Sequence, residues 1–299
     1  MFKYVGAFSD YTYLACPDII SYHIETETGF KKSMKQLLAL AIEGALEAGK
    51  KILEVYQQDF TVETKADNSP LTLADRLAHK AIKVVLSRMD YPVLSEEGKE
   101  IPFEARRDWE TFWLVDPLDG TKEFIKKNGE FTVNIALIKK GMPVLGVVFI
   151  PVTEALYFGA ENAGSYYADL SEQKLSRNID DIIHNAQKLP DINNRPHVYT
   201  IVASRSHLSN ETEEFIQKKK EEHGDAELIS SGSSIKLCLV AEGKADIYPR
   251  LAPTMEWDTA AGHAVAKFAG CKVYNFVTLK ELVYNKEDLL NSWFVCERK

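Results

Sequence analysis

Two carboxylates lie three residues apart in the segment Asp116-Pro117-Leu118-Asp119-Gly120-Thr121. The apolar run before it, residues 112–115, is typical of a buried strand. The proline and the glycine predict that the chain turns just beyond the first carboxylate. Such a turn can direct both carboxylates and the Leu118 carbonyl at one point, and Mg²⁺ takes oxygen ligands of this kind. Taken alone, the segment is equally well explained as a strand followed by a polar turn.

Three other segments carry acidic residues beside apolar or helical patterns. Ser95-Glu96-Glu97-Gly98 follows a short apolar run, Trp257-Asp258-Thr259 opens a small-residue helical pattern, and 65–75 precedes another helix. Each has an ordinary structural explanation. The first fits a solvated loop, the second an acidic residue favoured by the helix dipole, and the third a capping-box-like start made by Thr72 and Asp75. The residues alone leave these alternatives open.

Together, the four segments resemble the lithium-sensitive, Mg²⁺-dependent phosphomonoesterases of the inositol monophosphatase superfamily. The pattern of that superfamily is an Asp-Pro-(Leu/Ile)-Asp-Gly-Thr core, an upstream Glu-Glu and a downstream Trp-Asp-x-x-Ala-(Ala/Gly). All of these are present here in the same order. The resemblance runs from about Met34 to the C-terminus. A chance match to one motif is easy, whereas a match to four motifs in order is very rare.

The resemblance implies a fold of the α/β class, a layered α-β-α-β-α sandwich of the sugar-phosphatase type. Three parts of the chain are expected. Residues 1–33 form an N-terminal extension, interpreted as disordered or as a mis-assigned start in place of Met34. Residues 34–170 form an α+β metal-binding half, and residues 171–299 form an α/β substrate-binding half. The metal site is expected between the two halves.

The resemblance also implies how the acidic residues divide their work. Glu96, Asp116 and the Leu118 carbonyl are expected to hold one Mg²⁺. Asp116, Asp119 and Asp258 are expected to hold a second ion, so that Asp116 bridges the two. Metal ions can lower the pKa of bound water and stabilise a leaving oxygen, which are the two needs of phosphate monoester hydrolysis.

Asp75 and Thr121 are the candidates for orienting and deprotonating the attacking water. A threonine hydroxyl alone is a poor base, and a carboxylate partner gives the proton a destination. Thr121 is also placed to cap a helix that begins at Gly120, and the two roles are compatible. Glu97 and Asp67 are expected to reach a third, weaker metal ion through water.

Three segments resemble one branch of the superfamily, the 3'(2'),5'-bisphosphate nucleotidases. These enzymes remove one phosphate from adenosine 3',5'-bisphosphate, a by-product of sulfate activation and transfer. The segments are 65–75, 203–207 and the stretch 232–250, and they are less specific than the metal motifs. The alternative is an inositol monophosphatase or another small sugar-phosphate phosphatase. A more remote alternative is an inactive protein that senses nucleotide or metal.

Substrate recognition needs cations and hydrogen-bond donors away from the metal ions. Lys236 and Arg250 are expected to bind the phosphate that is not cleaved, with arginine offering a bidentate fork. Ser233 and His207 are expected to contact the ribose or the base, although His207 is also placed to cap the following helix. The full expected substrate-binding set is Glu96, Leu118, Asp119, Gly120, Thr121, His207, Ser233, Lys236, Arg250 and Asp258.

The composition narrows the class of protein. The chain has 299 residues, of which 45% are apolar and 27% charged, as in soluble globular proteins. A formal net charge of -8 argues against a nucleic-acid-binding surface, so the expected partner is a small nucleotide bisphosphate. No apolar run approaches the ~20 residues of a membrane span. The 4 cysteines are far apart, which favours reduced thiols and a cytoplasmic protein. Peripheral contact with the inner face of the cell membrane, and a monomer or a homodimer, are left open.

Hydrophobic periodicity predicts the elements that must position these residues. Apolar side chains at three- and four-residue spacing predict a helix over 34–57. A second helix is predicted after Pro70, with an apolar face formed by Leu77, Ala81, Val84, Val85 and Arg88. Strands are predicted at 112–115, 132–138, 144–150, 155–159, 165–168, 198–203, 227–230, 245–248, 272–274 and 292–296. Later helices are predicted at 210–222, 233–242 and 258–268, after a polar linker region that extends to about residue 196 and contains a short helix.

Overall fold

The computed structural model describes residues 23–24, 32–58, 70–171, 178–191, 198–204 and 209–299. The helices in these residues are α1 (Met34–Tyr56), α2 (Pro70–Leu86), α3 (Phe103–Arg106), α4 (Thr121–Ile125), α5 (Ile179–Asn185), α6 (Asn210–His223), α7 (Ile235–Glu242) and α8 (Glu256–Phe268). The strands are β1 (His23–Ile24), β2 (Lys32–Ser33), β3 (Val93–Ser95), β4 (Thr111–Asp119), β5 (Thr132–Lys139), β6 (Met142–Ile150), β7 (Ala155–Ala160), β8 (Gly164–Asp169), β9 (Gln187–Leu189), β10 (Thr200–Ser204), β11 (Glu227–Ser231), β12 (Ile247–Arg250), β13 (Lys272–Asn275) and β14 (Phe294–Glu297).

The strands form two large sheets and one short antiparallel pair, β1 with β2. The first large sheet has 7 strands in the order β3-β4-β5-β6-β7-β8-β9, and all of its pairs except β3–β4 are antiparallel. The second has 5 strands in the order β11-β10-β12-β14-β13. In it β10 pairs in parallel with β11 and β12, while β14 is antiparallel to its neighbours. Parallel pairs need crossover connections, which α6 and α7 provide here.

Alternating side chains on β4 show how the layers are stacked. Trp113 and Val115 belong to the core that the first sheet shares with α1 and α2. Phe112 and Leu114 belong to a second core, which contains residues of α7, α8 and the second sheet. A third core, which includes Ile216 of α6, covers the far side of the second sheet. The order of layers is therefore α-β-α-β-α, and the predicted sandwich is confirmed.

Two glycines allow α8 to lie deep between the sheets. A Cβ at Gly146 of β6 would lie 2.4 Å from the Ala261 carbonyl oxygen of α8. A Cβ at Gly262 would lie 2.6 Å from Leu237 Cδ1 of α7. Neither distance is tolerable for a real side chain, so glycine is required at both positions. This close packing places the first turn of α8 beside the end of β4.

The end of β4 differs from the prediction. A turn was expected just beyond Asp116, but the strand continues through Asp119, with a register shift between these residues in the pairing with β5. Pro117 lies inside this irregularity, where a missing backbone N–H costs no ladder hydrogen bond. The chain leaves the strand only at Gly120, whose φ of 101° begins α4.

Two other predictions need correction. Val84 and Arg88 were placed on the apolar face of the second helix, yet both are exposed, Val84 by 60%. Val85 is buried as predicted, together with Ala74, Ala78 and Ile82. The polar region before residue 196 was expected to be a linker with a short helix. It does contain α5, but it also contributes β9, which pairs with β8 and extends the first sheet.

The other predicted helices and strands agree with the structure to within a few residues at each end, whereas α3, β3 and the pair of β1 and β2 were not predicted. Cys238, Cys271 and Cys296 are free thiols in the core. Among the described residues, no helix is both long and apolar enough to cross a membrane. Residues 1–22 and 25–31 lie outside the described residues, so the interpretation of the N-terminal extension stays a prediction, as does the proposed division into halves.

Candidate active site and metal centre

The Asp-Pro-Leu-Asp-Gly-Thr segment lies along one wall of a cavity of about 500 Å³. β4 supplies the two aspartates, and Gly120 turns the chain into α4. A side chain at Gly120 would be strained by the positive φ and would meet Phe131 at 3.1 Å. The facing wall comes from the start of α7, from β12 and from the first turn of α8. The cavity therefore lies between the two sheets.

Most of the predicted site residues meet in this cavity. The predicted residues that line it are Glu96, Asp116, Leu118, Asp119, Gly120, Thr121, Ser233, Lys236, Arg250 and Asp258. His207 and Asp67 lie outside the described residues. Asp75 does not line the cavity, but the charges of Glu96 and Glu97 act on it, so it lies close behind the acidic wall.

Asp116 is at the centre of the acidic wall and is almost fully buried. Burial raises the pKa of its carboxyl, and the charges of Glu96, Asp119 and Asp258 raise it further. The pKa of Glu96 is also raised, by desolvation and by its acidic neighbours, although a hydrogen bond with Asp116 acts in the opposite sense. Burial and the neighbouring negative charges therefore favour the protonated form of both carboxyl groups.

The pKa values of Asp75 and Asp258 are raised as well. Burial raises the pKa of Asp258 to about 8, with a further contribution from the charge of Asp119. Asp258 Oδ2 accepts a hydrogen bond of 2.9 Å from the Met255 backbone N–H at the start of α8. Burial, together with Glu97 and Glu96, raises the pKa of Asp75 to about 8. These raised values indicate an acidic cluster whose negative charge is only partly compensated, in the case of Asp258 by Arg250.

Asp119 is held by one of its two oxygens. Oδ2 accepts hydrogen bonds from Ser233 Oγ at 2.5 Å, from the Ser234 N–H at 2.8 Å and from Asn134 Nδ2 at 3.4 Å. Oδ1 receives no hydrogen bond from the described residues. The three donors on one oxygen orient the carboxylate and leave the other oxygen available to a cation.

A buried polar network behind Asp119 joins β5 to the start of α7, and the sequence analysis missed it. Thr132 Oγ1 lies 2.5 Å from Ser233 Oγ and 2.8 Å from Ser234 Oγ. Ser234 Oγ in turn donates to Asn134 Oδ1 at 2.7 Å. A signal was present, because Thr132 and Asn134 are alternate, same-face polar residues in an otherwise apolar strand. Polar groups buried in a strand indicate a partner elsewhere in the fold.

The opposite wall carries two cations. Lys236 is only 4% exposed, and its Nζ donates to the Ser233 and Ser231 carbonyls at 2.5 and 3.2 Å. Burial lowers the pKa of Lys236 to about 8, although the charge of Asp119 opposes the shift. Arg250 Nη2 donates to the Pro253 carbonyl at 2.9 Å. Arg250 also lines the cavity, where a guanidinium group can bind an anionic ligand.

Thr121 lines the cavity and Asp75 lies near the acidic residues Glu96 and Asp116, but the two are not joined. Thr121 is exposed at the first position of α4, and Gly120 is the N-cap residue without a side-chain cap. The alternative in which the threonine caps this helix is therefore wrong. Among the residues that the structure describes, no hydrogen bond connects Asp75 and Thr121. Catalytic hydrogen bonds are often absent before substrate binds.

A hard divalent cation fits the chemistry of the acidic wall. The available donors are carboxylates and the Leu118 carbonyl, and mutual repulsion keeps protons on groups that a cation would ionise. In the described part of the chain, no three acidic, histidine or cysteine side chains are grouped to hold one ion as they stand. A cation bound here would favour the ionised form of these carboxyl groups.

The fold and the site together indicate the family to which the protein belongs. The model of the inositol monophosphatase family matches residues 33–293, and the chain belongs to this family. The resemblance that the four motifs predicted is thus confirmed.

Individual relatives give a closer match than the family as a whole. The chain is 46% identical over 255 residues to the 3'(2'),5'-bisphosphate nucleotidase CysQ of Escherichia coli (strain K12), a match that covers 84% of this chain and 95% of the relative. It is 40% identical to the protein of the same name from Buchnera aphidicola, over 84% of this chain and 89% of the relative.

Solved structures agree with this assignment. CysQ from Bacteroides thetaiotaomicron, a bacterial member of the inositol monophosphatase family, superposes with a TM-score of 0.83 at 53% identity, over 89% of this chain and 98% of that chain. An inositol monophosphatase from Zymomonas mobilis superposes with a TM-score of 0.66 at 22% identity, over 89% and 94% of the two chains. The second likeness shows the fold alone.

Proposed function

We propose that this protein is a 3'(2'),5'-bisphosphate nucleotidase that hydrolyses adenosine 3',5'-bisphosphate to AMP and phosphate. The observation that carries the proposal is the pairing of two walls across one cavity of about 500 Å³. One wall is a cluster of carboxylates, and the other presents the cations Lys236 and Arg250. A substrate with two phosphate groups can bind both walls at once, whereas a monophosphate binds only the acidic wall. Relatives at 46% identity that carry this enzyme name support the same activity.

Mg²⁺ is the cofactor that we propose for the acidic wall, in keeping with a family that is generally Mg²⁺-dependent. Glu96, Asp116 and the Leu118 carbonyl would hold one ion. Asp116, Asp119 and Asp258 would hold a second. When bound, such ions activate water and neutralise the charge that develops on the transferred phosphoryl group.

The chain itself supplies the remaining catalytic groups. Thr121 orients the attacking water, and Asp75 accepts its proton. Their shared position beside the acidic wall supports this division, and their contact would form only when substrate is bound. A third ion near Glu97 and Asp67 is part of the proposal as well.

Phosphate recognition falls to the opposite wall. Lys236 and Arg250 bind the phosphate that is not cleaved, since both residues line the cavity on the wall that faces β4. Ser233, which is held by Asp119 and Thr132, contacts the ribose. His207 is the remaining candidate for a contact with the ribose or base.

Release of inorganic phosphate tests the proposal directly. The purified full chain is assayed with Mg²⁺ on adenosine 3',5'-bisphosphate, AMP and myo-inositol 1-phosphate. We expect kcat/KM to be highest for the bisphosphate. A higher value for myo-inositol 1-phosphate would overturn the proposal in favour of an inositol monophosphatase. Release from none of the substrates would instead favour an inactive, sensing protein.

A cellular role accompanies this activity. We propose that the enzyme acts in the cytoplasm, where it clears a by-product of sulfur assimilation, and that Li⁺ inhibits it. Association with the inner face of the cell membrane and a monomeric or homodimeric state stay predictions. Sedimentation of the purified protein would give the oligomeric state, and phosphate release at increasing LiCl would test the inhibition.

A further inference from the structure

Arg106, the last residue of α3, is a buried arginine whose partners are carbonyl groups. It is 2% exposed. Nη1 donates to Asn285 Oδ1 at 2.8 Å and to the Lys286 carbonyl at 2.7 Å, and Nη2 donates to the Glu287 carbonyl at 2.9 Å. Asn285 Nδ2 returns a hydrogen bond of 2.7 Å to the Arg106 carbonyl. Among the described residues, no carboxylate forms an ion pair with this guanidinium.

Glu256 binds the backbone N–H groups of the same loop, residues 285–287, whose carbonyl groups bind Arg106. Its side chain is fully buried. Oε2 accepts the Asn285 N–H at 2.6 Å, and Oε1 accepts the Lys286 N–H at 3.1 Å and also pairs with the Lys286 ammonium. Carbonyl groups of the loop thus point to a cation while N–H groups point to an anion. The aligned peptide dipoles compensate two buried charges that would otherwise be costly.

The loop and Glu256 lie beside Asp258, the carboxylate that α8 contributes to the wall facing β4. Glu256 is the first residue of α8 and stands two positions before Asp258. Its backbone N–H donates to the Leu289 carbonyl at 2.9 Å, so the segment after the loop also encloses the first turn of the helix. Asn291 continues this contact, with Nδ2 bonded to the Met255 carbonyl at 2.7 Å. Arg106 itself precedes β4, which carries Asp116.

We infer that Arg106 is a positioning residue for the metal centre. Through the loop 285–287 and Glu256, it holds the first turn of α8 against the N-terminal half. In this way it sets the position of Asp258 relative to Asp116, the distance that a cation shared by both carboxylates depends on. The inference rests on the proposed function, because it concerns a ligand of the proposed metal ions.

Mn²⁺ binding without substrate tests this role separately from activity. The full-length protein is titrated with Mn²⁺ alone, and free Mn²⁺ is measured by electron paramagnetic resonance. Arg106→Gln should raise the Kd for Mn²⁺ by roughly 10-fold to 100-fold, the usual effect of losing a group that orients metal ligands. Arg106→Lys should fall between the wild type and Arg106→Gln, because an ammonium keeps the charge but lacks the planar fork.

Arg298 offers a matched control. It is also largely buried, with its Nη1 bonded to the Gly243 carbonyl at 2.9 Å and its Nη2 3.5 Å from an Asp246 carboxylate oxygen. It follows β14, and the partners that it binds, Gly243 and Asp246, lie between α7 and β12 and not in α8. Arg298→Gln should therefore lower the melting temperature while the Kd for Mn²⁺ stays within about twofold of the wild type.

Glu256→Gln completes the test and covers the case in which Arg106→Gln does not fold. It should raise the Kd for Mn²⁺ in the same direction. In the double variant, which combines Glu256→Gln with Arg106→Lys, the increase in the Kd for Mn²⁺ should not exceed the product of the two single increases, because both residues hold one loop. Loss of melting temperature with an unchanged Kd in Arg106→Lys and Glu256→Gln would overturn the inference. A wild-type protein that binds no Mn²⁺ would overturn the proposed metal function itself.

Discussion

The two walls of the cavity are built in different ways. Asp116 and Asp119 lie on β4, inside a sheet whose backbone hydrogen bonds and two apolar cores define their positions. Lys236 and Asp258, on the facing wall, stand in the first turns of helices. Their positions depend on side-chain contacts, such as those around Ser233 and the loop 285–287. One wall is therefore held by main-chain geometry and the other by polar side chains.

This difference predicts two kinds of response to mutation. On the strand wall, a changed side chain should leave the backbone in place, so that chemistry is lost while the fold survives. On the helix wall, removal of a side chain should alter binding by graded amounts, because the wall has several partly independent contacts. The four predictions that follow run from the largest expected effect to the smallest.

Asp116→Asn should abolish Mg²⁺-dependent phosphate release. Asparagine resembles the protonated carboxyl that burial favours, and its Oδ1 can still accept the Leu118 N–H, a bond of 3.0 Å in the wild type. The melting temperature without metal should therefore be unchanged or higher. Activity close to that of the wild type would contradict the assignment of Asp116 as the bridging ligand. A large loss of melting temperature would contradict the strand-wall argument.

Asp75→Asn and Thr121→Ala should each lower kcat by roughly 10²-fold to 10⁴-fold, the usual contribution of general acid–base catalysis. The double variant should lose little more, because the two groups act as a unit on one water. Steady-state kcat at saturating Mg²⁺ and substrate is the measurement. Multiplicative losses in the double variant would show that the two residues serve separate purposes.

Lys236→Ala and Arg250→Ala should lower kcat/KM for adenosine 3',5'-bisphosphate by roughly 10-fold to 100-fold, the value of one or two charge-assisted hydrogen bonds. The loss should be much smaller for AMP, which lacks a second phosphate. An effect mainly on KM indicates equal binding in the ground and transition states, and an effect on kcat indicates binding in the transition state alone. Equal losses on both substrates would argue for a general role in the cavity.

The stabilising effect of Mg²⁺ should depend on pH. Asp75 and Asp258 have a pKa of about 8 in the fold, against an ordinary value of 3.8. Between these values the folded protein holds protons that the unfolded chain releases, so metal-free stability falls as pH rises. Mg²⁺ needs ionised carboxylates and should thus raise the melting temperature more at pH 8 than at pH 6. Each kcal/mol of added stability corresponds to a rise in melting temperature of roughly 2–4 °C. An equal rise at pH 6 and at pH 8 would contradict this prediction.

The strand wall was the easier wall to predict from sequence. Its ligands fall in one continuous segment, where spacing is read directly, and the apolar run before Asp116 indicated a strand. The error was local: Pro117 suggested a turn, yet the register shift with β5 absorbs it and the strand continues to Asp119. From sequence alone, proline predicts the end of a strand, because the bulge in the pairing with a neighbouring strand is not visible in the local sequence.

The helix wall was predicted only in part. Lys236 and Arg250 were identified through resemblance, but Ser234, which binds Asp119 with its N–H, was missed. Arg106 and Glu256 were missed as well. Arg106 finds Asn285 across 179 positions of the chain, and no local period carries that information. Buried polar residues are recognised from sequence only when a regular apolar pattern surrounds them, as at Thr132 and Asn134.

The sequence by itself determined the family, the chemistry of the acidic wall and nearly every helix and strand. Those features depend on residue type and short-range spacing, which local sterics and hydrophobic periodicity translate into structure. Only the tertiary structure decided that Asp258 and Lys236 face β4 across one cavity, and which polar side chains hold them there. Such contacts arise from the packing of α7 and α8 between two sheets, where close-approach glycines and buried hydrogen bonds must be satisfied together.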